Sequence, residues 1–481
     1  MNAADASIWD VLASARPVLL WTDLLLWTLL VAGTLAAARL RRDPLQRRAW
    51  RRVWATPGAA SAAVVLAAMG LLALVDSVHL RRALPAPAGV QAGALAPAAP
   101  VYATRAESLL DLLLARPLAM RETGYSRPLD AWTLTRESVV IDGVVERQPQ
   151  RLVHGGAHLQ DPARERGADL AGRALKGGLV GLGSLAIGWL AVSLVLRRRP
   201  DRLLAWSGPA REAAITVIAL SVLAGVVIAW AEGWHVLGTD RIGQDVLVQA
   251  LKSVRTAVVI GLLASLATVP PALALGLLAG WYRGAVDALV QGLGAVLSAI
   301  PNVLLMAAGV LLAQAVVDAR LGADASALER ADARLLLLCL ILGLGGWAGL
   351  CRLVRAETLR LRGSDFIRAA RGSGLSDARI VWRHLAPNVA HLVLIQAALD
   401  LSMLVLYEAV LTYVGIGVDP AMQSFGGMIN LARSELLREP VVWWSVAAAF
   451  VFMLVLVLAL NVLADAVRQA FDPRAAVDGG R

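Results

Sequence analysis

Residues 364–388, which read SDFIRAARGSGLSDARIVWRHLAPN, determine how the rest of the chain is interpreted. The stretch is rich in charged residues, yet it lies between two long apolar segments. A serine precedes each of two short apolar runs, which predicts two short capped helices. Gly372 and Gly374 predict the break between them, and Pro387 predicts the end of the second, because proline disfavours helical geometry in the residue before it. A basic helix–glycine–helix element of this kind predicts a docking surface beside a membrane.

Each of the two short helices is predicted to have one apolar side. The residues expected on the apolar side of the first helix are Phe366, Ile367 and Ala370. Those expected on the apolar side of the second helix are Ile380, Val381 and Leu385.

The composition predicts an all-α polytopic membrane protein. The chain has 481 residues, of which 58% are hydrophobic, and its mean hydropathy is +0.64. Several runs reach the ~20 apolar residues that a helix needs to cross a bilayer. The net charge of +10 could indicate a nucleic-acid-binding protein. The arginines cluster next to the apolar runs, however, which is typical of loops retained in the cytoplasm, and no nucleic acid is expected as a partner.

Nine apolar runs are predicted to span a membrane. They are 17–38, 58–75, 175–196, 213–230, 256–280, one within 286–317, 335–353, 389–413 and 441–464. The arginine-rich segments 39–54 and 197–199 predict cytoplasmic loops, which places the N-terminus in the periplasm and the C-terminus in the cytoplasm. Segment 39–54 could also bind anionic lipid, although orientation alone explains its charge.

This order of runs predicts four parts. Residues 1–75 would hold two extra N-terminal transmembrane helices with a basic cytoplasmic loop, and residues 76–172 a small periplasmic insert. Residues 173–200 would form a third transmembrane helix, and residues 201–474 a six-helix core. Within the insert, 83–100 reads as a linker, 108–115 as a short amphipathic helix and 139–145 as a hairpin, because Asp-Gly suits a type I′ turn.

Metal and disulfide chemistry are not expected. His79, His154 and His158 could be offered as metal ligands, but the sequence clusters no third ligand with the latter two. Cys339 and Cys351 lie in one apolar run, which is not typical of a disulfide framework or a zinc site.

Residues 364–388 resemble the cytoplasmic coupling loop of binding-protein-dependent ABC transporter permeases. The family signature is Glu-Ala-Ala, three residues, Gly, nine residues, Ile, one residue and Leu-Pro. The positions that match it are Ala369, Ala370, Gly374 and Pro387. The positions that depart from it are Arg368 for Glu, His384 for Ile and Ala386 for Leu.

Three further stretches resemble the dipeptide, oligopeptide and nickel branch of that family. Residues 237–246 (LGTDRIGQDV) are similar to its "LGTD..GRD" segment, residues 408–418 (EAVLTYVGIGV) to its "EA.LSFLGLG" segment, and residues 465–474 to its "DALRD.LDPR" end. In the first, the periplasmic motif residues are Gly238, Thr239, Asp240, Gly243 and Asp245, and Gln244 replaces the family's Arg. The resemblance extends over residues 213–474 and does not cover the first 200.

The resemblance implies a MetI-like ABC permease transmembrane domain. It implies as partners two separate ATP-binding cassette subunits, a homologous permease subunit in a heterodimer, a periplasmic solute-binding protein and the lipid bilayer. The residues implied in ATPase coupling are Phe366, Arg368, Ala369, Ala370, Gly374, Asp377, Arg379 and Pro387. No phosphate-binding loop occurs in the sequence, so this chain is not expected to hydrolyse ATP, to act as an enzyme or to carry a cofactor.

The eighth apolar run carries three polar residues at spacings of four and eight, which place Gln396, Asp400 and Glu408 on one helical stripe. They could line the translocation path, or tie the helix to a neighbour. Both interpretations stay open for Asp400. For Glu408, the structural role is favoured because this residue belongs to a family motif.

The function expected from these observations is the permease subunit of an importer for peptides or a similar small solute. The alternatives are a permease for nickel or another small solute, a secondary transporter without an ATPase, and a membrane-embedded enzyme.

Overall fold

A computed structural model describes residues 14–40, 42, 44–83, 102–104, 106–141, 144–195, 208–320 and 326–471. Within these residues, nine helices are long and apolar enough to cross a membrane, which confirms the prediction of an all-α polytopic membrane protein. The predicted arginine cluster 197–199, the linker residues 84–100 and the end of the C-terminal motif, 472–474, lie outside the described residues.

The elements are numbered here in chain order. The helices are α1 (Trp21–Leu40), α2 (Pro44–Ala55), α3 (Ala59–Asp76), α4 (Leu109–Leu113), α5 (Ala115–Ala119), α6 (Pro162–Val195), α7 (Pro209–Ala231), α8 (Val246–Tyr282), α9 (Gly284–Ala299), α10 (Asn302–Arg320), α11 (Ala327–Arg362), α12 (Asp365–Gly372), α13 (Asp377–Ile380), α14 (Ala386–Val414), α15 (Phe425–Ala432) and α16 (Trp444–Phe471). A π-helical segment (Val381–Leu385) precedes α14, and a 3₁₀ segment (Arg433–Leu437) follows α15. The strands are β1 (Arg16–Val18), β2 (His79–Arg81), β3 (Glu107–Ser108), β4 (Trp132–Ile141) and β5 (Val144–Arg151).

The chain folds into two compact units. The first contains residues 1–19, 60–255 and 423–456, and the second contains residues 20–59, 256–422 and 457–481. The insert and the 235–245 loop therefore belong to the first unit, whereas residues 364–388 and the whole of α14 belong to the second.

The region of the sixth predicted span, 286–317, contains two helices, of which α10 is the one long enough to cross a membrane. Helix α9 has 16 residues, fewer than the ~20 that cross a bilayer, and α10 follows it after a break. The break falls at Ile300, which has extended geometry (φ −89°, ψ 131°) immediately before Pro301. Proline imposes this geometry on the residue before it, so Pro301 separates the two helices.

Helix α11 begins earlier than predicted. The seventh apolar run was predicted to start at residue 335, but the helix starts at Ala327. The Ser326 hydroxyl accepts a hydrogen bond from the Glu329 N–H, and the Glu329 carboxylate accepts one from the Ser326 N–H. This capping box starts the helix among charged residues that precede the apolar run.

Because α11 starts at Ala327, Asp332 of the second unit lies within this helix. Its carboxylate is buried and accepts hydrogen bonds from the backbone N–H of Trp21, at 2.7 Å, and from the Thr22 hydroxyl. Asp332 thus caps the start of α1 and joins it to α11.

The basic segment 39–54 is largely helical rather than an open loop. Helix α2 covers most of it, while residues 41 and 43 lie outside the described residues. Val53 is fully buried against Ala466 and Val467 of α16, and the Trp50 ring meets Phe471 edge-on at 6.0 Å. An apolar side of α2 therefore packs onto the C-terminal helix of the second unit.

Short strands in the first unit form two small sheets, and all of these strands except β1 lie within residues 76–172. β1, β2 and β3 form an antiparallel sheet, and β4 pairs with β5 as an antiparallel hairpin in which Ile141 is opposite Val144. The hairpin prediction is confirmed, although its turn, 142–143, lies outside the described residues. The predicted short helix is α4, which starts with a capping box between Ser108 and Asp111.

Candidate functional site

The first helix of the 364–388 element packs onto the membrane helices of its own chain. Ile367 is 1% exposed and Ala370 9%, and both join the apolar core of the second unit. Phe366, expected on the same side, is instead 42% exposed. That prediction was wrong, because successive residues are about 100° apart on a helix and the buried stripe of α12 is only wide enough for Ile367 and Ala370.

The turn after this helix depends on Gly374. Its φ is +74°, in the left-handed region that residues with a β-carbon avoid, whereas a β-carbon at this position would meet no atom within 4 Å. Glycine is therefore required for its backbone conformation rather than for space. The Leu375 N–H donates to the Ala370 carbonyl at 3.3 Å, which closes the end of α12.

Pro387 does not end the second helix, contrary to prediction. The chain continues from α13 through the π-helical segment into α14, and Ala386 is helical at φ −54° and ψ −46°. The Ala386 N–H donates to the Val381 carbonyl, five residues back. This wider turn makes room for a residue that lacks an N–H and would clash inside a regular α-helix.

An arginine on α12 anchors the element to α8. The Arg371 guanidinium lies 4.6 Å from the ring centroid of Trp281, and Arg362 approaches the same ring at 5.7 Å. The Trp281 side chain is almost completely buried, so it gives both cations an apolar platform. These contacts link α12 to the end of α8.

The opposite side of the element is exposed. The exposed candidates from sequence analysis are Phe366, Arg368, Ala369, Gly374, Asp377, Arg379 and Pro387. Trp382, which sequence analysis did not select, is 56% exposed on the same element. The Arg368 side chain forms an ion pair with Asp365 at 2.5 Å, so part of its charge is compensated within the helix.

Two of the three polar residues on α14 interact directly. The Gln396 Nε2 donates to the Asp400 Oδ1 at 2.8 Å, and both residues are only partly buried. Glu408 lies two turns further on and is completely buried. The Thr412 hydroxyl donates to Glu408 at 2.8 Å and accepts from the Val418 N–H at 3.0 Å. Glu408 therefore stabilises the turn after α14, which supports its structural role.

The 235–245 loop contains a buried charged cluster that joins it to the insert. The His235 Nδ1 lies 2.9 Å from the Asp245 carboxylate, and its Nε2 lies 3.3 Å from the Glu122 carboxylate. The side chains of His235, Asp245 and Glu122 are 0%, 4% and 1% exposed. Glu122 also accepts hydrogen bonds from three consecutive backbone N–H groups of the insert, those of Val153, His154 and Gly155.

The cluster holds His235 and Glu122 in their charged forms. Burial alone would lower the pKa of His235, but hydrogen bonds to Asp245 and Glu122 outweigh it and raise the pKa to about 9. Burial would raise the pKa of Glu122, but hydrogen bonds from His235 and from the backbone lower it to about 2. At neutral pH an imidazolium therefore lies between two carboxylates.

The remaining motif residues of this loop shape its backbone. The Thr239 hydroxyl donates to the Gly124 carbonyl at 2.7 Å, and the backbone carbonyl of Thr239 accepts from the Trp444 indole N–H at 2.9 Å. Asp240 accepts hydrogen bonds from backbone N–H groups within the loop. Gly238 and Gly243 have φ of +73° and +75°, and β-carbons there would lie 2.5 Å and 1.9 Å from backbone oxygens of Ser126 and Glu122. The insert therefore packs in direct contact with the motif loop.

The cluster could not be predicted from the sequence, because its members are far apart along the chain. Glu122 and His235 are separated by 113 residues. One signal in the sequence is His235, which lies two residues before the motif stretch 237–246. Of the three histidines considered as metal ligands, His158 has its ring in contact with Asp169 and Arg173, and the backbone N–H of His154 donates to Glu122.

Comparison with known proteins gives a family and named relatives. The family model described as "Binding-protein-dependent transport system inner membrane component" matches residues 272–477. The oligopeptide transport system permease protein OppC of Mycobacterium tuberculosis is 32% identical over 239 residues, which are 50% of this chain and 76% of that protein. The glutathione transport system permease protein GsiD of Pectobacterium atrosepticum is 32% identical over 240 residues (50% and 73%), and the dipeptide transport system permease protein DppC of Lactococcus lactis is 29% identical over 244 (51% and 65%).

Proposed function

Since the chain belongs to the family of binding-protein-dependent ABC permeases, we propose that it is the transmembrane subunit of an ATP-driven importer in the bacterial inner membrane. Its solute is a peptide or a similar small molecule, as the names of the relatives OppC, DppC and GsiD suggest. A second, homologous permease subunit completes the pathway, two separate ATP-binding cassette subunits supply the energy, and a periplasmic binding protein delivers the solute.

The observation that carries this proposal is the two-sided 364–388 element. Its inner side, with Ile367 and Ala370, is packed into the helical core, and Arg371 holds it against Trp281. Its outer side presents Phe366 and Ala369 for a partner. An element packed in this way moves with the membrane helices, so a force applied by an ATPase subunit on the outer side reaches them directly.

The mechanism follows from this coupling. The two ATPase subunits close on ATP and move the 364–388 element, which biases the membrane helices toward one of two discrete packings. Asp400 on α14 is proposed to line the path. A half-buried carboxylate bonded to a neutral Gln396 keeps acceptor capacity for a cationic or peptide-like solute.

Purification tests the proposal against a secondary transporter. Mild solubilisation of the native complex should recover this chain together with a separate subunit that contains a phosphate-binding loop. Recovery of an active transporter that needs no such subunit would favour the secondary transporter instead.

The topology is predicted to be N-terminus out and C-terminus in. The division into 1–75, 76–172, 173–200 and 201–474 then places the insert in the periplasm, since arginine-rich segments flank it on both sides. Reporter fusions at Gly143 and Gly208 should report opposite sides of the membrane. Equal behaviour of the two fusions would reject the nine-span arrangement.

Asp400→Ala is predicted to lower transport per assembled complex by about tenfold, because it removes the charged acceptor from the proposed path. Asp400→Asn is the matched control, since it keeps the shape and the contact with Gln396 but not the charge. Transport of a radiolabelled peptide in vesicles, normalised to complex, is the measurement. If both variants transport at the wild-type rate per complex, Asp400 only ties α14 together.

A further inference from the structure

The β4–β5 hairpin is an exposed arm of the insert. Residues 135–138 of β4 and 145–151 of β5 are exposed, and in the described part of the chain the sheet contains these two strands alone. A lone two-stranded hairpin is marginally stable in water. Its outer backbone edges also remain open to pairing with another chain.

The base of this arm is firmly attached to the rest of the insert. Ala131 and Leu152, which flank the hairpin, are 1% and 4% exposed, and the Leu152 N–H donates to the Ala131 carbonyl at 2.9 Å. The Leu134 N–H donates to the Tyr125 carbonyl at 2.9 Å. The arm therefore has a fixed direction at its base although its length is surrounded by solvent.

The charges of the arm are sorted onto its two faces. Pairing places Arg136 opposite Pro149 and Ser138 opposite Arg147. Because side chains alternate between faces, the two arginines share one face, diagonally across the strands. Glu137 and Glu146 share the other face in the same way, since Glu137 is opposite Gln148 and Val139 is opposite Glu146.

This sorting costs stability unless a partner compensates it. Like charges on neighbouring cross-strand positions repel each other, and a shift of one residue would have placed Arg opposite Glu. The acidic face has some internal compensation, because the Gln148 Nε2 donates to Glu146 at 2.7 Å. Within the described residues, neither Arg136 nor Arg147 forms an ion pair. Among the described residues, the basic face therefore has no ion-pair partner.

We propose that the face bearing Arg136 and Arg147 docks an acidic surface of the periplasmic solute-binding protein. The inference rests on the proposed function, which places this arm on the side where that protein arrives. Two guanidinium groups favour carboxylates, which they bind through paired N–H donors. An anionic membrane surface fits less well, because Glu137 and Glu146 on the other face would be repelled by it. The open strand edges also suit a protein.

The test measures ATP hydrolysis by the complete importer in lipid nanodiscs, titrated with the purified, solute-loaded binding protein of the same system. The charge reversal R136E/R147E should raise the half-saturating concentration of the binding protein about tenfold, because it turns attraction into repulsion. The matched control is E137K/E146K, on the opposite face of the same hairpin, which should not raise it. Hydrolysis without binding protein should be equal in all three complexes.

The wild-type complex and R136E/R147E should also differ in their response to salt. Higher ionic strength should raise the half-saturating concentration of binding protein for the wild-type complex toward that of R136E/R147E, since exposed charges are screened. An unchanged half-saturating concentration in R136E/R147E overturns the docking face, as does an equal rise in E137K/E146K. A wild-type complex that binding protein does not stimulate at all would contradict the proposed function itself rather than the docking face.

Discussion

Ala369→Glu is expected to abolish solute-stimulated ATP hydrolysis while leaving the amount of permease in the membrane unchanged. Ala369 is exposed on the outer side of α12, where its small side chain lets a partner surface approach closely. A carboxylate introduced into that contact is buried without a partner, which costs several kcal/mol. Stimulated hydrolysis should therefore fall by at least about tenfold.

The neighbouring alanine provides a control with the opposite phenotype. Ala370 is 9% exposed and lies in the apolar core of the second unit. Ala370→Glu should therefore lower the amount of folded permease, because the charge is buried inside its own chain. Ala369→Ser should resemble the wild type. If Ala369→Glu keeps full stimulation, or fails to fold as Ala370→Glu should, the outer side of α12 is not the ATPase contact.

His235→Leu is expected to cause the largest loss of stability among single substitutions in the first unit. It leaves Glu122 and Asp245 buried without their shared cation, and breaking a buried ion pair in this way costs about 3–5 kcal/mol. The thermal unfolding temperature of the purified chain in detergent is the measurement. His158→Gln is a suitable control, since the His158 side chain is 34% exposed and its loss should change stability little.

The same cluster predicts a pH dependence. The pKa of His235 is raised from 6.5 to about 9, so its stabilisation is complete below pH 6.5 and is lost as the pH rises through 9. The pKa of Glu122 is lowered from 4.5 to about 2, so its stabilisation is complete above pH 4.5 and is lost as the pH falls through 2. The difference in unfolding temperature between wild type and His235→Gln should therefore narrow from pH 6.5 to 9. A constant difference over that range would contradict the charged cluster.

Sequence periodicity was sufficient for the features that depend on local sequence. The nine spans follow from apolar length, and the break at Gly374 follows from its place after a short helix; both agree with the structure. Pro387 was misjudged because its effect depends on the π-helical segment before it, which no local pattern predicts. The burial of Ala370 and exposure of Phe366 depend on which helices pack beside α12.

Contacts between residues far apart in the sequence could not be predicted for a different reason. The contact of Glu122 with His235 requires the fold of an insert that the family resemblance does not cover. The cap that Asp332 forms on α1 likewise joins residues 310 apart in the chain. In both cases a single buried polar group satisfies several donors, and such partners become visible only when the elements are packed.

The central claim is that residues 364–388 transmit the work of a separate ATPase to the membrane helices. Its most direct test is a cysteine at position 369 in the reconstituted importer, crosslinked to the ATPase subunit with a short thiol reagent during solute-stimulated turnover. The two native cysteines are buried and should not interfere. We predict a crosslink to the ATPase subunit that arrests stimulated hydrolysis. If no crosslink forms between position 369 and the ATPase subunit while stimulated hydrolysis is complete, residues 364–388 do not transmit this work.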